Sequence, residues 1–120
     1  MSLFDYQKFW DEKFKRDEKN KKQLLSALRS SALEAARILI DYFKAKKVYL
    51  FGSVADGVFF HRHSDVDLAV EGILPQKYFS ALAKITAVFQ GRCNVDLLPL
   101  EDASPEMRKS IERKGERLYG

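Results

Sequence analysis

Residues 51–70 read FGSVADGVFFHRHSDVDLAV, and the rest of the chain is best understood outward from them. The run VYLF (48–51) is a short apolar strand that ends at Gly52-Ser53, and DVDLAV (65–70) is a second strand. Side chains alternate across a strand, so Asp65 and Asp67 share one face while Val66, Leu68 and Val70 share the other, toward a core. Gly57 permits a turn, and 57–64 reads as the loop between the strands. Apart from Arg62 in that loop, the segment holds no cation to offset its two strand carboxylates. Like charges this close are costly unless a positive group joins them.

A third strand, CNVDLLPL (93–100), is stopped by Pro99 and places Asn94, Asp96 and Leu98 on one face. If it lies beside the second strand, Asp96 joins Asp65 and Asp67. Such a cluster of hard oxygen donors suits Mg²⁺, which commonly takes one or two carboxylates together with substrate phosphates. Paired ions of this kind stabilise the attacking and leaving oxygens of an in-line phosphoryl displacement. Gly52 supplies the complementary half, because a residue without a side chain lets phosphate approach the backbone. Ser53 stands where a short helix begins, so its hydroxyl and the nearby N–H groups suit phosphate oxygens.

Around these strands the apolar spacing predicts helices. Phe4, Phe9, Trp10 and Phe14 recur at helical spacing over 4–16, and RDEKNKK (16–22) is a solvated turn or an exposed helix. Leu24, Leu28, Ala32, Ala35, Leu39 and Phe43 form a stripe over 23–46. Pro75 opens a helix over 76–90. Ser104, Pro105 and Glu106 start a last one, which Gly115 ends. The order is helix, helix, strand, strand, helix, strand, helix: a small α/β or α+β domain with no internal repeat. We divide it into an N-terminal helical extension packed on the same domain (1–46) and a core (47–120).

The ordered combination of Gly52, Ser53 and Gly57, then Ser64, Asp65, Asp67 and Leu68, with Asp96 later, resembles the minimal nucleotidyltransferases of the DNA polymerase β superfamily. Their signature is G-S-x-x-x-G, then S-D-x-D-L and a further strand aspartate. The resemblance covers about residues 45–118; the first forty carry no motif. It implies an α+β fold, a small mixed sheet flanked by helices, here with an N-terminal helical extension. It also implies two Mg²⁺ ions and ATP as substrate. Asp65 and Asp67 would then ligate both ions, and Asp96 would bind the catalytic one and help activate the acceptor hydroxyl. Gly52 and Ser53 would hold the β- and γ-phosphates, with Ser64 beside them. In one respect the chain departs from the family. Where many members carry arginines around the Gly-Ser turn, it has Val54 and Asp56. His61, Arg62 and His63 are the cations of the following loop that would compensate.

Small members of this kind often pair with a HEPN-domain ribonuclease toxin and move AMP onto one of its tyrosines, so the resemblance implies an antitoxin. Three other readings stay open: a non-catalytic binder that neutralises a partner by contact, transfer to a small hydroxylated molecule such as an aminoglycoside, and terminal transfer to nucleic acid. The basic excess sits in residues 1–47, with 12 basic against 7 acidic side chains, but that alone identifies no partner. The aromatic N-terminal helix would either dock a partner or cap this domain's own core. The 120-residue length fits one domain, and the single cysteine, Cys93, excludes an internal disulfide. Cys93 is expected as a small buried apolar residue. No run is long enough to span a bilayer and no signal pattern opens the chain, so the expectation is a cytoplasmic protein, with homo-oligomers open.

Overall fold

The computed structural model describes residues 2–52 and 65–120. Its first element, α1 (Leu3–Asp41), is one unbroken helix of 39 residues. Ser2 and Asp5 cap it reciprocally: the Ser2 hydroxyl accepts from the Asp5 N–H at 3.2 Å, and the Asp5 carboxylate accepts from the Ser2 N–H. The two helices expected from the sequence are therefore one, and the polar run 16–22 takes its exposed-helix form. No glycine or proline interrupts it, and Glu12–Arg16, Asp17–Lys21 and Glu18–Lys22 stand at the i,i+4 spacing that supports an exposed helix. Burial begins only in the second half, at Leu28, Ala32, Ala35, Ala36 and Leu39. The described side chains from 2 to 20 are all exposed.

Four strands follow: β1 (Lys47–Phe51), β2 (Val66–Glu71), β3 (Val95–Pro99) and β4 (Glu116–Tyr119). They form one mixed sheet in the order β3-β2-β1-β4. β1 runs antiparallel to β2 and β4, while β2 and β3 are parallel. Such a parallel pair needs a crossover, and it is made by a 3₁₀ turn (Pro75–Lys77) leading into α2 (Tyr78–Val88). The fold is α+β, as expected. β4 is an addition, because four residues of mixed character after Gly115 carry no strand signal of their own. Their place is set by β1, whose Leu50 pairs with Glu116 and Val48 with Tyr119, and by the Arg29–Glu116 ion pair at 2.5 Å.

The alternation in β1, β2 and β3 sorts the two faces. Val48, Leu50, Val66, Leu68, Val70, Val95 and Leu97 turn toward α1 and α2, and Leu28, Leu39, Ile85 and Phe89 fill the space between. Each fully buried side chain of that size contributes about 1.5–3 kcal/mol relative to exposure. The opposite face carries Tyr49 and Ala69, covered by Leu100 and by Ile111 of α3 (Pro105–Lys114). That second face is thinner.

α3 begins as the sequence predicts, with the Ser104 hydroxyl accepting from the Met107 N–H at 3.1 Å. Ser104→Ala is expected to lower stability by about 1 kcal/mol, since it orphans one N–H of the first turn. Chemical denaturation would show it as a lower midpoint at unchanged slope.

Candidate active site

Three chain segments meet at one end of the sheet: the exit of β1, the start of β2 and the start of β3. Antiparallel register sets Phe51 opposite Asp67, and parallel register sets Asp67 opposite Asp96. Asp67 and Asp96 therefore occupy neighbouring positions on the face shared with Ala69, away from the main core. The two carboxyl groups are close enough for Asp96 to raise the Asp67 pKa. Asp65 lies one residue ahead of β2 and is exposed; its charge also acts on Asp67, more weakly. The structure thus brings Asp67 and Asp96 together, with Asp65 at their edge.

Gly52 completes the pair's surroundings. It has φ +78°, and a Cβ added there would run into Asp67 Oδ2. Only glycine both adopts that backbone cheaply and leaves room for the carboxylate. Gly52, at the exit of β1, is therefore packed directly against Asp67. Ser53, Val54, Asp56, Gly57, His61, Arg62, His63 and Ser64, singled out in the sequence, lie outside the described residues.

Burial raises the Asp67 carboxyl pKa from 3.8 to about 6, aided by the Asp96 carboxyl and then the Asp65 charge. This is the energetic signature of an acidic group short of positive charge. Among the described residues the donor set is carboxylate oxygen, which fits a hard divalent ion such as Mg²⁺. Among the described residues, no three acidic, histidine or cysteine side chains close into a ready-made metal cage. Among the described residues the site is a carboxylate pair, and further oxygens would have to complete the coordination of an ion.

A pH dependence follows. The native state holds a proton on Asp67 more tightly than the unfolded chain does, so this carboxyl's contribution to stability is greatest below about pH 3.8. It is lost as pH rises through about 6. The difference in melting temperature between Asp67→Asn and the parent is therefore expected to grow in the variant's favour between pH 4 and 6.5 and then level off. Mg²⁺ competes with that proton and should narrow the gap above pH 6.

Two supporting residues had no motif to announce them. Arg92, in the turn before β3, donates from Nη2 to the Ser31 hydroxyl at 2.6 Å and from Nε to the Phe89 carbonyl at 3.0 Å. Ser31 sits buried within the apolar stripe of α1. Together they fasten α1 to the segment that delivers Asp96. The one available signal was a serine standing among alanines and leucines on the buried helix face. Cys93, expected as buried, is half-buried, and burial pushes its thiol pKa up.

The profile of the family described as polymerase beta, nucleotidyltransferase matches residues 34–120, and the chain belongs to that family. The match starts inside α1, so the last eight residues of that helix, with Ala35, Ala36 and Leu39 among them, fall within the family domain. No curated protein sequence matches. Among solved structures, the chain is similar to a toxin–antitoxin crystal structure with AMP-PNP, at 27% identity over 73% of each chain and a TM-score of 0.61. It is also similar to a mutant of the MntA–HpeT toxin–antitoxin carrying two aspartate-to-glutamate changes, at 25% identity over 74% of this chain and 72% of that one, with a TM-score of 0.61. A third, assigned as a minimal nucleotidyltransferase, is 25% identical over 76% of this chain and 92% of that one, with a TM-score of 0.60. No helix of the described residues is long and apolar enough to cross a membrane.

Proposed function

We propose that the protein is a metal-dependent nucleotidyltransferase that moves AMP from ATP to a hydroxyl of a protein partner, a tyrosine of a HEPN-type ribonuclease toxin, and so acts as an antitoxin in the cytoplasm. The single observation that carries the reading is the register placing Asp96 beside Asp67 against the Gly52 turn. The similar structure with AMP-PNP and the toxin–antitoxin relatives support the choice of nucleotide and partner class.

In this reading Asp65, Asp67 and Asp96 hold two Mg²⁺ ions. When bound, those ions neutralise charge on the triphosphate and on the oxygens that attack and leave. The chain's own residues do the rest. Gly52 presents bare backbone to the β- and γ-phosphates, with Ser53 and Ser64 as further phosphate contacts by motif position. Asp96, the more exposed of the paired acids, faces the side from which an acceptor hydroxyl arrives and draws its proton. Arg92 and Ser31 keep the start of β3 in register, so that Asp96 stays paired. The tyrosyl oxygen forms a bond to the α-phosphorus of ATP, and pyrophosphate leaves.

One observation favours a second reading. Asp65 stands exposed at the edge of the pair rather than closing it, as would suit a protein that neutralises its partner by contact alone. Incubating the chain with a HEPN toxin, Mg²⁺ and α-labelled ATP separates the two. Transfer predicts AMP on a toxin tyrosine by mass spectrometry, absent with Asp65→Ala/Asp67→Ala. If the double variant neutralises the toxin undiminished and no label moves, the contact reading replaces the enzymatic one.

A further inference from the structure

Among the described residues, β3 joins the sheet through β2 alone, and Asp96 rides on it. Whatever holds the other side of this strand therefore helps to decide where the Asp96 carboxylate stands. The Asn94 carbonyl accepts from the Val66 N–H at 2.9 Å. Carbonyls along a strand point alternately to its two sides, so those of Asn94 and Asp96 face β2 and that of Leu97 faces outward. An outward carbonyl on a border strand has no ladder partner.

The crossover supplies one. Tyr78, the first residue of α2, donates its hydroxyl to the Leu97 carbonyl at 2.6 Å. Its ring is itself held in place, packed against the main core and meeting the Phe79 ring edge-on at 5.3 Å. The 3₁₀ turn beneath it closes with the Lys77 N–H donating to the Leu74 carbonyl at 2.9 Å and the Tyr78 N–H donating to the Pro75 carbonyl. The hydroxyl thus reaches β3 from a fixed base, which is what precise support of a site requires.

We propose, on the reading that Asp96 serves the transfer reaction, that Tyr78 is a positioning residue for Asp96: through the Leu97 carbonyl it fixes the border strand one residue past the carboxylate. Asp96 is then confined from both sides, by the β2 ladder within the sheet and by Tyr78 outside it. Arg92 anchors the turn in which the strand begins; Tyr78 anchors the strand itself. The side chains of Asp96 and Leu97 leave opposite faces, and Leu97 is buried, so Tyr78 acts through the backbone and touches no carboxylate. Its effect is to keep Asp96 level with Asp67 across the seam, where an ion would need both. The bland role is different: a partly buried tyrosine hydroxyl needs some acceptor, and losing one would then lower stability and nothing else.

Transfer of α-labelled AMP to a HEPN toxin separates the two roles. It is measured for the parent, for Tyr78→Phe, and for the chain with 4-aminophenylalanine at position 78, which keeps the ring and an N–H donor at the same reach. Ser104→Ala is the control for lost stability, since that hydroxyl caps α3 on the opposite face of the sheet. Tyr78→Phe is expected to lower kcat about tenfold, part of the roughly 10²-fold that a misplacement of about 1 Å costs. The KM for ATP should stay unchanged, the Mg²⁺ concentration for half-maximal rate should rise, and amide exchange at Leu97 and Leu98 should quicken. The aminophenylalanine chain should recover most of the lost rate, and Ser104→Ala should keep the parent's kcat. Parental kcat and Mg²⁺ dependence in Tyr78→Phe overturn the proposal and leave the transfer reading intact. So do equal losses in Tyr78→Phe and Ser104→Ala, a failed recovery, or a Tyr78→Phe chain that does not fold, which makes the bond structural. A parent that moves no label defeats the transfer reading itself, and the proposal falls with it.

Discussion

Replacing Asp67 by asparagine is expected to abolish nucleotidyl transfer while leaving the metal-free protein at least as stable as before. The two halves of that result have one cause. Asp67 is half-buried beside a second carboxyl and feels the charge of a third, so the fold resists its ionisation. Asparagine keeps the shape, offers Asp96 an N–H donor and removes the repulsion. It also removes the central ligand from the proposed metal site. Losing several kcal/mol of stabilisation of charge in the transition state means a fall of about 10³-fold or more, at 1.36 kcal/mol per decade. Transfer of labelled AMP measures the first half, and melting with and without Mg²⁺ the second. A variant that transfers normally removes Asp67 from the chemistry. One that unfolds makes the residue structural and contradicts the electrostatic account.

Gly52→Ala is the second large effect, and it carries its own control. Alanine at φ +78° costs roughly 1–2 kcal/mol of backbone strain. Its Cβ also overlaps Asp67 Oδ2, so the carboxylate must swing aside. A displacement on the order of 1 Å in a reacting constellation costs about 10²-fold in rate. Gly91 has φ +76° with open space around the position a Cβ would take. Gly91→Ala should therefore show the same loss of stability and no loss of transfer. Equal losses of transfer in the two variants would mean that strain alone, and not contact with Asp67, explains the Gly52 effect.

The acidic strand was legible because its message is local. Asp65 and Asp67 alternate with Val66, Leu68 and Val70, and a period of two assigns faces without further knowledge. The pairing of Asp96 with Asp67 was different in kind. It depends on β3 lying parallel and adjacent to β2, a choice that no residue near 96 encodes and that the α2 crossover makes. β4 was invisible for a related reason: Glu116–Tyr119 has strand character only because the β1 edge is there to pair with it. In α1 the error was one of continuity, since a run of lysines and acids looks like solvent whether it turns or winds. Ser31 and Arg92 show the usual blind spot, two ordinary residues 61 positions apart that matter only once folded together.

The strand that carries Asp96 is the outermost of the described sheet. Among the described residues, β3 has β2 on one side and no strand on the other, and the residues facing each other across that seam include Asp67 and Asp96. Mutual repulsion there acts as a wedge at the seam's first rungs, just where an edge strand frays most easily. A divalent cation taken up between them would turn the wedge into a stitch. Amide hydrogen exchange in β3 should accordingly slow on loading with Mg²⁺ and nucleotide, by more than it does in β4 at the far edge. Occupancy of the site and tightness of the sheet's border would then be two readings of one event.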